Sequence, residues 1–276
     1  MRAGVASRSA MGSALLRAAH VREDAPPWVF EDLLSARLLT PDEAEPLEAV
    51  MAAWLPQVRA ALRVEHAVRT RLAEDVAVAG LGAGRDEYVV LGAGLDTFAW
   101  RHPQAGALTV WELDHPDTQE WKRAALARAG LPDRQYVRFC PIDLSATPLE
   151  ALATPEHATW SCLGVTMYIE RAATAAMVRA IAAHRPGTSL VVNFNLACEA
   201  SDELSQAVRA ATAPALAALN EPFTPAYTAE EVTDLLHTAG FRTVTLVDAG
   251  ALRARYFPDR LDLLDHHGIL IAVATV

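Results

Sequence analysis

The spacing of hydrophobic positions along the chain changes near residue 88. Before that point apolar residues recur at helical intervals, as in Val64, Val68, Leu72 and Val76, which follow one another at four-residue steps. Such spacing places them in one apolar stripe along a helix, which must pack against another element. After residue 88, short apolar and β-branched runs alternate with helical stretches. The pattern predicts a helical N-terminal cap over 1–79 and an α/β core over 80–276.

Prolines divide the N-terminal cap into short helices, because a proline ring does not fit inside a helix. We expect these helices over 13–20, 27–39 and 42–54, followed by the longer one that has the apolar stripe. Residues 80–85 are interpreted as a plain connector to the core.

Seven apolar runs of the core are predicted to be strands. They cover residues 88–91, 108–113, 136–140, 159–165 and 189–194, a run that includes Val244 and Leu246, and residues 269–276. Helices are expected between them, for example over 171–184 and from the capping box at Thr228 to Gly240. This alternation is typical of a doubly wound, largely parallel sheet with helices on both faces. A helical, acidic stretch over 198–226 interrupts the alternation and is predicted to form part of a lid. We interpret residues 1–276 as a single domain.

The first predicted strand runs directly into Gly92-Ala93-Gly94. Glycines at such a turn allow the backbone to pass close to a ligand. The helix that follows directs its free N–H groups to the same place. The turn therefore predicts a nucleotide-like cofactor.

Composition limits the classes of partner. The chain is 52% hydrophobic and has a formal net charge of −10, without a run of basic residues. A nucleic-acid partner is not expected, since phosphate backbones are bound by clusters of Lys and Arg. We also find neither a signal peptide nor a segment long and apolar enough to cross a membrane. Three cysteines without paired spacing, Cys140, Cys162 and Cys198, are expected to be free thiols rather than metal ligands. These features favour a soluble, cytoplasmic protein without a metal, and they leave its oligomeric state open.

Two cofactors are compatible with the glycine turn. A dinucleotide fingerprint has glycine at its sixth position, where this chain has Thr97, and the neighbouring Asp96 would repel a pyrophosphate. S-adenosylmethionine has no phosphate and avoids this repulsion. Asp114 closes the second strand, where an acidic side chain binds ribose hydroxyls in either case. Asp143, after the third strand, is placed to accept a hydrogen bond from an adenine amino group, with Leu144 against the ring.

Several stretches together resemble the leucine carboxyl methyltransferase family, in particular its bacterial branch of polyketide-type O-methyltransferases. The glycine turn belongs to residues 90–101, VLGAGLDTFAWR. The other similar stretches lie within residues 9–20, 112–122, 163–168 and 251–257. The resemblance extends over nearly the whole chain.

The resemblance implies a class I methyltransferase fold of seven strands, the last antiparallel, with the N-terminal helices closing over S-adenosylmethionine. It implies a cofactor site at Gly92, Ala93, Gly94, Asp114, Asp143 and Leu144. It also implies that the methionine carboxylate of the cofactor is bound by Arg69, with Arg71 as the alternative, and by Arg8 of the first helix. Eukaryotic members have a glutamate where this chain has Leu163, which leaves open how the methionine ammonium is held. The same difference indicates that a C-terminal leucine of a protein is not the acceptor.

The type of acceptor decides whether the enzyme needs a base. A carboxylate is already ionised at neutral pH, whereas a phenol, with a pKa near 10, gains from a positioned base. His115 follows Asp114 and is expected to contact the cofactor or cap a helix, with a role as base as the weaker alternative. Tyr168 and Asn195, at the carboxyl edge of the sheet, are candidate acceptor contacts. Tyr256 and Arg255, expected in a loop before the last strand, are further candidates.

We therefore expect an S-adenosylmethionine-dependent O-methyltransferase that forms a methyl ester on a small natural product, such as a polyketide-like or peptide-derived acid. Its acceptor would be a small molecule, and the cofactor would be converted to S-adenosylhomocysteine. No catalytic residue is assigned beyond the weak candidates His115 and Tyr168, because positioning and desolvation supply much of the acceleration in such a displacement. Three alternatives remain open: a phenolic O-methyltransferase, a non-catalytic protein that binds the cofactor, and a nicotinamide-dependent oxidoreductase.

Overall fold

The computed structural model of the chain describes residues 7–144, 146–197, 202–219, 221–224 and 226–276. Within these ranges, seven strands form one sheet: β1 Glu87–Leu91, β2 Thr109–Asp114, β3 Val137–Pro141, β4 Thr159–Cys162, β5 Ser189–Asn195, β6 Thr243–Val247 and β7 Ile269–Thr275. Four helices precede the sheet: α1 Arg8–Glu23, α2 Leu34–Arg37, α3 Pro41–Ala52 and α4 Pro56–Leu81. The others are α5 Phe98–Arg101, α6 Pro116–Arg128, α7 Arg171–Ala182, α8 Glu203–Ala218, α9 Ala229–Ala239 and α10 Ala249–Tyr256.

The strands lie in the order β3-β2-β1-β4-β5-β7-β6. Strands β1 to β5 pair in parallel, and β7 is antiparallel to both β5 and β6. The chain winds outward from β1 in one direction and from β4 in the other, so the topological switch point lies between these two strands. The predicted seven-stranded, mostly parallel α/β sheet with an antiparallel last strand is confirmed.

Strand β5 shows how helices cover both faces of the sheet. Its side chains alternate between faces, as the pleat requires. Leu190, Val192 and Phe194 pack in one cluster with residues of α7 and α9, including Ile181. Val191 packs on the other face with α4 and α10. A strand buried on both faces explains why apolar residues occupy consecutive positions at Leu190, Val191 and Val192.

Helix α4 has the apolar stripe that the sequence predicts. Val64, Val68 and Leu72 are nearly inaccessible to solvent and pack against Ile271 of β7 and Leu252 of α10. The helix is 26 residues long, and its central part lies against the sheet. It therefore connects the N-terminal cap to the core.

Helix α1 closes the cap against the glycine turn. A Cβ added at Gly94 would lie 3.0 Å from the Cβ of Ala10, so the helix and the turn are in direct contact. The guanidinium of Arg17 donates to the carbonyl of Leu95 at 2.7 Å and to the carboxylate of Asp32 at 2.9 Å. The N-terminal helices therefore close over the turn that follows β1.

Some predicted boundaries are wrong. The helix expected over 27–39 is only Leu34–Arg37, because the carboxylate of Asp32 accepts from the backbone N–H of Ser35 and starts the helix there. The fourth strand ends at Cys162 instead of residue 165, because Gly164 has a φ of +69° and turns the chain.

The predicted lid over 198–226 contains α8 and contacts the cap. The carboxylate of Glu221 accepts from the backbone N–H of Ser9 at 3.1 Å, which joins this segment to the start of α1. Residues 198–201, 220 and 225, and with them Cys198, lie outside the described residues. Cys140 and Cys162 are free thiols. None of the described helices is long and apolar enough to span a membrane. The interpretation of the whole chain as one domain stays a prediction.

Two glycines with similar backbone angles provide a test of the turn after β1. Gly92 and Gly84 have φ angles of +67° and +73°. A Cβ at Gly92 would lie 2.2 Å from Cγ2 of Val165, whereas a Cβ at Gly84 would have no neighbour within 4 Å. We expect Gly84→Ala to cost about 1 kcal/mol, the backbone contribution, and Gly92→Ala about 3 kcal/mol or more. Urea unfolding measures both free energies. Equal losses in the two variants would contradict the close approach of Val165.

Candidate functional site

A cavity of about 1270 Å³ opens at the carboxyl ends of β1 and β4. Its floor is the glycine turn after β1 and residues 163–165 after β4, and its walls come from α1, α3, α4 and α8. The switch point of an open α/β sheet is the expected place for a ligand. The volume is sufficient for a nucleoside cofactor together with a second small molecule, since sites for one drug-sized ligand measure roughly 300–1,000 Å³.

The glycine turn is closed by hydrogen bonds to the end of β2. The backbone N–H groups of Gly92 and Ala93 both donate to the carbonyl of Leu113, at 2.7 and 3.1 Å. The N–H of Gly94 donates to Oδ2 of Asp114. A pyrophosphate is bound by free N–H groups at such a turn, and these three are already used. The turn therefore suits a nucleoside without a phosphate.

The carboxylate of Asp114 borders the cavity at the end of β2. One oxygen accepts from Gly94, and the other accepts from the N–H of His115 at 2.6 Å. Burial raises the pKa of this carboxyl, and the two N–H donors oppose that rise. Each oxygen of an ionised carboxylate can accept a second hydrogen bond, so Asp114 can still bind the two hydroxyls of a ribose.

His115, Asp143 and Leu144 lie together at the β2–β3 side of the cavity. His115 caps α6, where its Nδ1 accepts from the N–H of Asp117, and its Nε2 lies 3.9 Å from a carboxylate oxygen of Asp143. His115 follows β2, whereas α8 follows β5. These two strands are separated by three strand spacings, a distance of about 14 Å. The structure thus brings His115 to the predicted nucleoside end and not to the α8 side, which counts against it as a base for the acceptor.

The structure separates the two arginines that the sequence left as alternatives. Arg69 is buried and lines the cavity, with Nη1 donating to Glu65 at 2.8 Å. Its Nη2 lies 3.5 Å from the position of a Cβ on Gly164, beside the end of β4. Arg71 is exposed, does not line the cavity, and binds Asp75 at 2.8 Å. Only Arg69 of this pair can hold the carboxylate of a cofactor in the cavity.

Three polar side chains beside Arg69 were missed by the sequence analysis. Glu65 accepts from Nη1 of Arg69 with one carboxylate oxygen and from Nε2 of His266 with the other, at 2.8 Å in each case. Burial would raise the pKa of Glu65, but the hydrogen bond from His266 and the charge of Arg69 outweigh burial and lower it. His66 is the third, and its Nδ1 lies 2.8 Å from the carbonyl of Leu62. The four-residue spacing of Glu65 and Arg69 on a helix could have predicted that they pair. No sequence pattern near His266 indicates that its partner is Glu65.

Tyr168 and Asn195, the predicted acceptor contacts, both line the cavity. The ring of Tyr168 packs against Phe223, with 5.7 Å between ring centroids. Burial raises the pKa of its phenol to about 12, so the hydroxyl keeps its proton. The wall on this side is apolar and comes from α3, α4, α8 and the segment between α3 and α4: it includes Val50, Met51, Trp54, Leu62, Val208 and Leu216.

The remaining predicted site residues fall into two groups. Leu163 lines the cavity, and Arg8 lies exposed at its edge. Arg255 and Tyr256 do not line it, and their proposed contact with the acceptor is wrong. They belong to α10 and not to a loop, and both point to Asp75 on the outer side of α4: the Tyr256 hydroxyl donates to its carboxylate at 2.9 Å and an Arg255 nitrogen lies at 3.7 Å. Among the described residues no group of three or more His, Cys, Asp or Glu side chains is arranged to hold a metal ion.

Comparison with known proteins agrees with the geometry. Residues 10–182 match the family model of leucine carboxyl methyltransferases. YktD of Bacillus subtilis (strain 168), described as a candidate S-adenosyl-L-methionine-dependent methyltransferase, is 29% identical over 298 residues, which covers 96% of this chain and 95% of that protein. A relative from Mycolicibacterium gilvum (strain PYR-GCK) with the same description is 36% identical over 136 residues, covering 49% of this chain and 51% of its own.

Two solved structures show the same fold. A candidate methyltransferase from Thermobifida fusca superposes with a TM-score of 0.59 at 17% identity, over 87% of this chain and 92% of its own. An O-methyltransferase family protein from Burkholderia thailandensis superposes with a TM-score of 0.52 at 16% identity, over 95% of this chain and 68% of its own. Since the family model matches well over half of the chain, the chain belongs to the leucine carboxyl methyltransferase family and is an S-adenosylmethionine-dependent methyltransferase of the class I fold.

Proposed function

We propose that this chain transfers the methyl group of S-adenosylmethionine to a carboxylate oxygen of a small, largely apolar acid in natural-product biosynthesis and so forms a methyl ester. The observation behind the proposal is the character of the cavity on the α8 side. Its walls are largely apolar, and the carboxylate of Glu221 there accepts hydrogen bonds from Ser7 and Ser9. Neither His66, whose pKa is lowered, nor Tyr168, whose phenol keeps its proton, is a base matched to a phenol.

The residues of the cavity fit the cofactor part by part. Asp114 would bind the ribose hydroxyls, Asp143 and Leu144 the adenine, and Arg69 the methionine carboxylate. Arg69 is suited to this task because it is buried beside Gly164, and its Nη2 donates no hydrogen bond to any of the residues that the structure describes. The bound cofactor supplies an activated methyl group on a sulfonium.

The pKa values favour a carboxylate over a phenol as the acceptor. Burial and the charge of Arg69 lower the pKa of His66 to about 3. Transfer of a proton to His66 from a phenol with a pKa near 10 would be uphill by about 10 kcal/mol, at 1.36 kcal/mol per pKa unit. The carboxylate of Glu65 is already engaged by Arg69 and His266. An ionised carboxylic acid needs no base, so this site can act on it by positioning and exclusion of water.

The proposed acceptor is a small molecule and not a protein C-terminus. Helices α3 and α8 enclose the acceptor side with apolar side chains, and Leu163 stands where eukaryotic members of the family have a glutamate. Tyr168 and Asn195 are the candidate donors for the acceptor carboxylate, and the phenol of Tyr168 keeps the proton that such a donor needs.

A chemical test separates esters from ethers. We expect purified enzyme with S-adenosylmethionine labelled in its methyl group to label aliphatic or aryl carboxylic acids with an apolar body. Mild alkali should then release the label as volatile methanol, because it hydrolyses methyl esters and leaves aryl methyl ethers intact. Phenols of matched size are the control acceptors. Label that is transferred only to phenols and resists alkali would refute the carboxylate acceptor.

A binding test addresses Arg69. We expect Arg69→Gln to weaken binding of S-adenosylhomocysteine at least tenfold, because charged hydrogen bonds contribute about 1.5–3 kcal/mol. Binding of methylthioadenosine, which has no carboxylate, should change little. Arg71→Gln is the matched control and should leave both affinities unchanged. Calorimetric titration measures them. If Arg69→Gln weakened both ligands equally, Arg69 would have a structural role and not the proposed one.

A further inference from the structure

His66 lies at the junction between the two ends of the cavity. On α4 it stands three residues before Arg69 and four residues after Leu62, and all three side chains line the cavity. Residues at these spacings share one face of a helix. Leu62 packs with Val208 of α8 in the apolar wall, whereas Arg69 lies beside the end of β4. The path from Leu62 to Arg69 is about 10 Å along the helix, and His66 is near its middle.

The hydrogen bonds of His66 define its tautomer. Nδ1 lies 2.8 Å from the carbonyl oxygen of Leu62. A carbonyl oxygen can only accept, so Nδ1 has the proton, and in the neutral ring Nε2 then has a lone pair. Nε2 has no hydrogen-bond partner among the described residues. It is also not fully buried from solvent, and His66 lines the cavity. The lone pair is therefore open to the cavity.

The charges around His66 keep it in this neutral form. Burial and the charge of Arg69 lower the pKa of His66, and Arg17 adds to this, while Glu65 opposes it. A neutral imidazole with its proton on Nδ1 cannot donate from Nε2, so a carboxylate oxygen placed there would meet another lone pair. Only an O–H or N–H group of a bound molecule can form a hydrogen bond with it.

We propose that Nε2 of His66 selects the acceptor by receiving a hydrogen bond from a hydroxyl or N–H group close to the carboxylate that is methylated. This rests on the proposed function and narrows its substrate class to acids such as hydroxycarboxylic acids. The donor must be near the carboxylate because His66 is one helical turn from Arg69, at the place where the acceptor meets the methionine end of the cofactor. A site with a buried acceptor rejects an analogue that lacks the donor, since the group would be left unpaired.

The test measures binding of matched acids to the complex of the enzyme with S-adenosylhomocysteine. The pairs are 3-hydroxydecanoate with decanoate and mandelate with phenylacetate, titrated calorimetrically. Of the two hydroxy acids, we expect the one that binds more tightly to the wild-type complex to bind at least tenfold more tightly than its deoxy partner. His66→Leu should reduce this ratio to about one. His66→Gln, which keeps an oxygen that can accept, should retain part of it.

The affinity for S-adenosylhomocysteine is the control and should be the same in all three proteins. Equal binding of both members of each pair by the wild type would overturn the proposal, as would a ratio in His66→Leu as large as in the wild type. Loss of S-adenosylhomocysteine binding in His66→Leu would assign a structural role instead. If acids are methylated with equal kcat/KM whether or not they have a hydroxyl, this inference fails while the proposed function stands. If acids are neither bound nor methylated, both fail.

Discussion

The hydrogen bonds between the glycine turn and the end of β2 are the constraint on which the rest of the site depends. The N–H groups of Gly92 and Ala93 donate to the carbonyl of Leu113, and that of Gly94 donates to the carboxylate of Asp114. These bonds hold Asp114 at the edge of the cavity and use three of the backbone donors that a phosphate would require. They also fold the turn tightly enough for α1 to approach it at Ala10. One local arrangement thus disfavours a pyrophosphate, places Asp114 at the edge of the cavity and lets the cap close over the turn.

Helix α4 gives the cavity its polarity gradient. One end of its inner face contributes Leu62 to an apolar wall, and the other contributes Arg69 to a charged cluster with Glu65 and His266. Burying such a cluster is costly, because desolvation of the charges opposes their attraction, and apolar residues of similar size are often at least as stable. Stability alone does not explain the cluster. The proposed role of Arg69 as the cation that binds the methionine carboxylate would explain it, with Glu65, itself hydrogen-bonded to His266, holding the guanidinium in place.

The sequence was sufficient for features that depend on local pattern. The glycine turn, the acidic residue at the end of β2 and the apolar runs of the strands are all defined by neighbouring residues, and the fold follows from them and from the family resemblance. Features that depend on distant contacts were not accessible. His266 and Glu65 are 201 residues apart in the chain and meet only because β7 inserts between β5 and β6 beside α4. Likewise, Arg255 and Tyr256 were misplaced because the sequence does not show that α10 packs against α4 away from the cavity.

If the turn after β1 binds a nucleoside that has no phosphate, the protein should distinguish S-adenosylhomocysteine from NAD. Calorimetric titration of the wild-type chain with each ligand separately measures this difference. We expect saturable binding of one S-adenosylhomocysteine per chain and no binding of NAD at the same concentrations. Binding of NAD that S-adenosylhomocysteine displaces would contradict it, because the N–H groups of the turn would then be available to a pyrophosphate.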